Sequence, residues 1–250
     1  MDQTQAQSDH QSLARDHERL LSQYAEIATL AGGLAHEIRN PLSTMTLNLD
    51  LLREDLLAAE SPRERRMLQK VDSLRKQCVL LERLLNDFLQ FARVGALQKK
   101  LADLNQLVVE FIEFYQPLAK EQGIDISPHL ATNLPQVEID TQLFLQVLTN
   151  LSRNAQQAMP RGGVLELLTY SRGDRVILEI IDSGEGMSTE TQARMFDTFF
   201  STKPDGSGLG LPTVRKIVEA HRGTILCDSE PGQGTRFSIS LPEANNSASA

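Results

Sequence analysis

Two neighbouring residues inside a long helical pattern, His36 and Glu37, have side chains that can act together in nucleophilic chemistry. A neutral imidazole on an exposed helix face can attack an electrophile, and the carboxylate beside it can accept the proton of the other ring nitrogen. The heptad spacing of the flanking apolar residues turns His36 away from the apolar seam. A single histidine on a helix is more often simply solvated, so the reactive role of His36 depends on what the rest of the sequence supplies.

Two asparagines that could bind a metal ion, Asn150 and Asn154, lie four residues apart on one face of a helix predicted over residues 140–159. Amide oxygens can be ligands of Mg²⁺, which takes few protein ligands in addition to phosphate oxygens and water. Surface solvation is the more common role of such a pair on its own.

Two glycine-rich stretches could bind a nucleotide. Asp182–Gly186 follows a predicted strand, where a carboxylate can accept a hydrogen bond from an exocyclic amine such as that of adenine, although an ordinary turn is the alternative. Gly206–Gly210 opens a helix, whose backbone N–H groups and dipole can hold phosphate. It fits neither the dinucleotide fingerprint nor the Walker loop. A third stretch, Pro231–Thr235, is predicted to be a structural turn.

Two long amphipathic helices are predicted to carry the histidine, over residues 13–57 and 63–94, with a tight connection at 58–62. They form an antiparallel hairpin whose apolar seam is only half covered. A second copy completes it as a four-helix bundle, so we expect a homodimer; docking of the hairpin on its own chain is the alternative. The heptad stutter at Pro41 predicts a bend one turn after His36.

The rest of the chain mixes strands and helices and predicts an α/β sandwich. A helix capped by Asn105, strands 124–130 and 137–139, a hairpin around Gly173-Asp174 and a loop over 187–207 are its main features. We expect a disordered N-terminus at 1–12, a helical domain at 13–94, a linker at 95–100, an α/β domain at 101–243 and a disordered tail at 244–250.

Composition excludes several classes of protein. The 250 residues have a formal net charge of −8, which disfavours nonspecific nucleic-acid binding. No apolar run reaches the length of about 20 residues that spans a bilayer. The two cysteines suggest neither a disulfide nor a zinc site, so we expect a reducing, cytoplasmic setting.

Five motifs, in this order, resemble the catalytic core of two-component sensor histidine kinases over roughly residues 20–242. Each motif alone is modest evidence for this family, but all five in the family's order are strong evidence. They are His36–Leu42, which resembles the H box; Asn150–Ala155, the N box; Asp182–Gly186, the first glycine box; Phe196–Phe200, the F box, followed by Ser201-Thr202-Lys203 as in the nitrogen-regulation-like branch; and Gly206–Gly210, the second glycine box.

The resemblance implies a Bergerat-type α/β sandwich that binds ATP and Mg²⁺. Asn154 would carry the metal with Asn150 nearby, Asp182 would select adenine, and residues 187–207 would form a mobile lid. Arg153 and Lys203 either reach phosphate or are solvated. Ala158 replaces an aromatic residue of many relatives. The implied nucleotide-binding set is Asn150, Arg153, Asn154, Asp182, Gly184, Gly186, Lys203, Gly206, Gly208, Leu209 and Gly210.

The implied reaction is ATP-dependent autophosphorylation of His36, followed by transfer to an aspartate of a separate response-regulator receiver domain. Glu37 would activate the imidazole, and Asn40 would orient water for dephosphorylation of the regulator. Related ATPases carry a carboxylate at the position of Asn150, and an amide cannot act as a general base on water. A serine-directed kinase with the same ATPase fold and a catalytically silent, nucleotide-gated dimeric scaffold are the two alternatives. The signal and the cognate regulator stay open.

Overall fold

The structure is a computed structural model that describes residues 37–57, 61–93, 97–203 and 206–244. The chain divides into two compact units between residues 96 and 97. Several predictions lie outside the described residues: the disordered N-terminus, the helix before residue 37 with His36, and the tail from residue 245 onward.

The first unit contains two helices. Helix α1 is described over residues 37–55 and continues through Pro41. Helix α2 is Pro62–Arg93. Ser61 and Glu64 form a capping box at its start, since the Ser61 hydroxyl accepts the Glu64 N–H at 3.2 Å and the Glu64 carboxylate accepts the Ser61 N–H at 3.0 Å. Pro62 follows at the first helical position, where a missing N–H costs nothing.

Three polar pairs join the two helices in one antiparallel register. They are Arg39–Asn86 at 2.9 Å, Asp50–Arg75 at 2.5 Å and Arg53–Asp72 at 3.1 Å. The order is that of an antiparallel hairpin, as predicted from the two amphipathic helices.

The apolar seam of each helix is split into two rows of different exposure. One row is buried or half-buried and comprises Leu42, Leu49, Leu56, Val71, Cys78, Leu85 and Ala92. The other row is between 38% and 56% exposed and comprises Met45, Leu52, Met67, Leu74, Leu81 and Phe88. Members of a row are seven residues apart along each helix, so the exposed row forms a continuous uncovered stripe.

The second unit is built on a five-stranded sheet with the order β2-β4-β5-β7-β6. Only the β2–β4 pair is parallel; the other three pairs are antiparallel. The strands are β2 Ile124–Leu130, β4 Gly163–Arg172, β5 Arg175–Asp182, β6 Thr224–Glu230 and β7 Gly234–Pro242. A separate antiparallel pair joins β1 Lys100–Ala102 to β3 Val137–Ile139.

Three longer helices supply the second layer: α3 Leu104–Glu121, α4 Thr141–Ala158 and α6 Gly210–Ala220. Buried side chains alternate along β4 and β7, for example Leu165 and Leu167, then Phe237 and Ile239. One face of the sheet is therefore the core face, and the unit is the predicted α/β sandwich.

The bounds of most helices and strands agree with the sequence predictions, and three predictions were wrong. Strands β2 and β3 have the predicted bounds. Helix α3 is capped by Asp103, whose carboxylate accepts from the N–H of residues 105 and 106, whereas Asn105 lies inside the helix. The predicted loop over 187–207 contains a short helix, α5 Thr189–Arg194, capped by Ser188. Strand β1 begins at Lys100, inside the predicted linker.

His221 joins the ends of the two helices that carry the asparagines and the second glycine stretch. Its ring is 2% exposed; Nδ1 lies 2.7 Å from the Ile217 carbonyl, and Nε2 accepts the Asp140 N–H at 2.8 Å. Only the neutral tautomer with a proton on Nδ1 satisfies both contacts. Burial lowers the pKa of His221, which keeps the ring in this form.

Candidate nucleotide site

Asp182 ends strand β5 and is 6% exposed. Its carboxylate accepts the Gly184 N–H at 2.9 Å and a second hydrogen bond from the Thr235 N–H. Burial raises the pKa of Asp182, and these two hydrogen bonds together with the nearby Lys203 charge oppose that rise. A carboxylate held in this way keeps acceptor capacity for a further donor such as an exocyclic amine.

The first glycine stretch packs directly on the end of helix α4. The Glu185 N–H donates to the Ala158 carbonyl at 3.0 Å. A Cβ on Gly184 would lie 2.7 Å from both the Ala158 side chain and its carbonyl oxygen, so only glycine fits here. Small residues on both sides thus bring the asparagine-bearing helix against the Asp182 segment.

The residues predicted on helix α4 lie half-buried along its outer side. The Asn150 amide approaches the Gly210 carbonyl at 3.5 Å, which joins α4 to the second glycine stretch. Within the described part of the chain, the Asn154 carboxamide has no hydrogen-bond partner. Burial lowers the pKa of Lys203, and the nearby charge of Arg153 acts in the same direction.

The second glycine stretch leads into helix α6. Leu209 occupies the N-cap position and supplies no side-chain capping bond. Gly210, the first helical residue, has open space around the position of a Cβ. The uncapped start of the helix can therefore offer backbone N–H groups to an anion.

Gly208 fastens the Phe-rich segment to this stretch. Its carbonyl accepts the Phe199 N–H at 3.0 Å, and a Cβ on Gly208 would collide with the Phe199 backbone. Phe199 itself has a φ of 65°, which is rare for a bulky residue, and its side chain is 71% exposed. Arg194 stacks over the neighbouring Phe200 ring at 4.3 Å.

Lys203 reaches the end of helix α4 from the segment that follows the Phe-rich motif. Its Nζ donates to the Gln157 side chain at 2.7 Å. Burial lowers the pKa of Lys203, while the carboxylates of Glu185 and Asp182 act in the opposite direction. Residues 204 and 205, which connect it to Gly206, lie outside the described residues.

An open cavity of about 460 Å³ lies beside these elements. Its walls are the turn after helix α4 and the two glycine-containing turns around residues 183–185 and 232. Among the described residues, no group of three or more His, Cys, Asp or Glu side chains could hold a metal ion.

The predicted catalytic residues belong to the first unit. His36 lies outside the described residues, and Glu37 and Asn40 are exposed on helix α1. In the second unit, the structure brings Asn150, Arg153 and Asn154 into one cluster with both glycine stretches and Lys203. Sequence reasoning missed Gln157 and Thr235; the Gly-Gln-Gly-Thr turn was a signal for Thr235, but we found no signal for Gln157.

Two family models match the chain in succession. Residues 26–97 match the His Kinase A (phospho-acceptor) domain. Residues 139–245 match the histidine kinase-, DNA gyrase B-, and HSP90-like ATPase. In the described part of the chain, no helix combines the length and apolar character needed to cross a membrane.

Similar proteins include a sensor histidine kinase and two histidine kinase structures. The sensor histidine kinase ZraS of Klebsiella oxytoca is 35% identical over 214 residues, which are 85% of this chain and 45% of ZraS. The structure of full-length ShkA in complex with AMPPNP is 32% identical with a TM-score of 0.67, over 86% of this chain and 45% of ShkA. The catalytic domain of the histidine kinase ThkA is 28% identical with a TM-score of 0.54, over 58% of this chain and 96% of that domain.

The chain therefore spans about half the length of ZraS and of ShkA. Its phospho-acceptor match contains the H box, and its ATPase match contains the N box, the F box and both glycine boxes. These matches show that this chain contains the catalytic core of a histidine kinase.

Proposed function

We propose that this chain uses ATP to phosphorylate its own His36 and then passes the phosphoryl group to an aspartate of a response-regulator receiver domain. One observation carries the proposal: a phospho-acceptor match and an ATPase match follow each other in one chain. In this proposal residues 13–94 form the dimerisation and phosphotransfer domain, and residues 101–243 form the ATP-binding domain. Because the proposed reaction uses ATP, we place this part of the chain in the cytoplasm.

The nucleotide would lie between helix α4 and the two glycine stretches. Asp182 would accept the adenine amine, with Gly184 and Gly186 leaving room for the flat base. The phosphates would meet the start of helix α6. The residues that we assign to them are Gly206, Gly208, Leu209 and Gly210, with Arg153 and Lys203 as cations.

The donor set suits Mg²⁺ held largely by the nucleotide. Asn154 offers a carboxamide oxygen without a partner among the described residues, and Asn150 lies one turn earlier on the same helix. Mg²⁺ takes one or two protein ligands and fills its other positions with phosphate oxygens and water, so no cluster of acids is needed. When bound, the ion would neutralise charge on the β- and γ-phosphates.

The proposed reaction consists of two phosphoryl transfers. An imidazole nitrogen of His36 attacks the γ-phosphorus, the bond to the β–γ bridging oxygen breaks and ADP leaves. Glu37 accepts the proton on the other ring nitrogen. In the second transfer the phosphorus–nitrogen bond breaks as a receiver carboxylate takes the phosphoryl group, and the imidazole takes its proton back from Glu37. Asn40, one turn from His36, would orient water when the regulator is dephosphorylated.

Asn150 supports transfer to a protein side chain over hydrolysis of ATP. Its carboxamide contacts the Gly210 carbonyl and has no basic site to activate water. We therefore assign the phosphoryl acceptor role to a protein side chain and not to water.

The exposed row of the hairpin supports a homodimer. Six apolar side chains along one stripe, each 38–56% exposed, match the half-covered seam of a four-helix bundle. A second copy of the same hairpin presents the same stripe about a two-fold axis, which buries both stripes at once.

The proposal is tested by incubating the full chain with γ-labelled ATP. We expect a label that is lost in acid and kept in base, and that is absent from His36→Gln. His129→Gln is the matched control, because His129 is an exposed histidine on strand β2 and should leave labelling unchanged. An acid-stable label on serine would favour the serine-directed alternative, and ATP binding without label would favour the scaffold.

A further inference from the structure

The turn between strands β6 and β7 packs against the first glycine stretch and is not only a connection between two strands. The Gly232 N–H donates to the Glu185 carbonyl at 2.7 Å. Gly186 and Gly234 have φ values of 64° and 84°, and a Cβ on either would collide with the other backbone segment. The turn and the Asp182 segment thus touch backbone to backbone.

Ser229, the second-to-last residue of strand β6, lies at the centre of this contact and is 8% exposed. Its hydroxyl accepts the Met187 N–H at 2.9 Å and lies 2.9 Å from the Gly234 carbonyl, to which it donates. The Thr235 hydroxyl is 3.0 Å away. Because the Thr235 N–H also bonds to Asp182, Ser229 connects the first residue of the lid to the carboxylate.

Gln192 makes a second connection from the lid to the same strand. Its side-chain NH₂ group donates to the Ser229 carbonyl at 2.7 Å and to the Met187 carbonyl at 3.1 Å. Helix α5, which carries Gln192, is thereby attached to β6 at one residue. This arrangement gives hydrogen-bond partners to the Ser229 carbonyl, the Met187 carbonyl and the Ser229 hydroxyl. None of these groups has a role in the proposed chemistry.

We propose that Gln192 and Ser229 form a tether that holds the start of the ATP lid, residues 187–195, against the β6–β7 turn. The tether controls how often the lid opens and therefore how fast the nucleotide leaves. Both are positioning residues: they act through Met187 and helix α5 and do not touch the phosphates. The effect on nucleotide release rests on the proposed function, whereas the attachment of the lid does not.

The first test measures release of the fluorescent nucleotide mant-ADP from the full chain by displacement with excess ATP. Gln192→Leu removes both N–H donors at similar size, so we expect release roughly fivefold to tenfold faster, as two neutral hydrogen bonds are lost from the closed lid. Gln116→Leu, which changes an exposed glutamine on helix α3, is the matched control and should release at the wild-type rate. A rate for Gln192→Leu within about twofold of that control would overturn the proposal.

The second test needs no nucleotide. Amide hydrogen exchange of the nucleotide-free chain should be faster over residues 187–195 in Gln192→Leu and in Ser229→Ala, and unchanged along strands β4 and β5. Unchanged exchange over 187–195 in both variants would overturn the tether. If the wild-type chain does not bind mant-ADP, the proposed function fails, while the exchange result still decides the tether. If Gln192→Leu does not fold, Ser229→Ala carries both tests.

Discussion

The two units of this chain bury their apolar surface to different extents. The hairpin leaves a complete row of its seam uncovered, and its predicted catalytic side chains Glu37 and Asn40 face solvent. The α/β unit buries a full sheet face and holds its polar site residues by backbone hydrogen bonds, as at Asp182. This difference supports the proposed homodimer, in which a second copy covers the exposed row of the hairpin, whereas the second unit buries its core within one chain.

The largest effect is expected from a substitution in the exposed row of the hairpin. Leu74→Glu places a charge on the exposed stripe, and in a two-fold dimer the change occurs twice. Losing two buried leucines costs about 3–6 kcal/mol, which weakens dimerisation more than roughly a hundredfold. Lys76→Glu, on the outer side of helix α2, introduces the same side chain and should keep the dimer. Sedimentation velocity measures the association of each variant. Equal association of the two variants would show that the exposed row is not the dimer interface.

Asp182→Asn tests the self-contained site in the other unit. The amide keeps an oxygen for the Gly184 N–H but presents its NH₂ group where a carboxylate would meet the adenine amine. Loss of one charge-assisted hydrogen bond costs about 1.5–3 kcal/mol, or roughly a tenfold to hundredfold weaker affinity for ATP. The melting temperature should not fall, because a buried charge is removed at the same time.

Titration calorimetry with ATP measures this change, and Asp125→Asn, exposed on strand β2, is the control. Wild-type affinity in Asp182→Asn would show that Asp182 does not recognise the base. A large loss of stability would show that the residue serves the fold instead.

His221 tests how tightly the two nucleotide helices are joined. Burial lowers its pKa in the folded chain, so the unfolded chain binds the proton more readily. Stability from this residue is therefore present above the unfolded pKa of about 6.5 and is lost as the pH falls below it. The charged groups that act on the ring are Lys99, which favours the neutral form, and Asp140, which opposes it.

Urea unfolding of the second unit should show a loss of about 1 kcal/mol between pH 7.5 and pH 5.5. This dependence should be smaller in His221→Gln and unchanged in His129→Gln. The same pH dependence in His221→Gln as in the wild type would contradict the neutral, doubly bonded ring.

The smallest effect is expected at the ion pairs of the hairpin. Arg53 and Asp72 are 46% and 42% exposed in their side chains, so solvent screens their attraction. A double-mutant cycle with alanine at both positions should give a coupling of about 0.5 kcal/mol or less. A coupling above roughly 1.5 kcal/mol would mean that polar pairs, and not the apolar rows, hold the hairpin together.

Local sequence signals were enough for much of the second unit. Strand β2 could be predicted because Gly123 ends the preceding helix and a run of strand-forming residues follows. Asp103 was overlooked because Asn105 is also a good capping residue, and the two can be told apart only by which one starts the helical dihedral angles. Helix α5 is six residues long and polar, so it has no apolar period to detect.

Contacts between distant segments could not be predicted in the same way. Strand β1 has only three residues and exists because it pairs with β3 some 37 positions later. The turn at 231–235 has an obvious turn sequence, yet its contact with Gly186 depends on the position of β7 beside β5. Ser229 and Gln192 are ordinary residues in sequence, and only the fold brings them together.

The most direct measurement is to locate the phosphate after the full chain has been incubated with ATP, by peptide mass spectrometry at neutral to basic pH. We expect a phosphoramidate on His36. Phosphate on a serine, or an unmodified His36 in a chain that binds ATP, would contradict it.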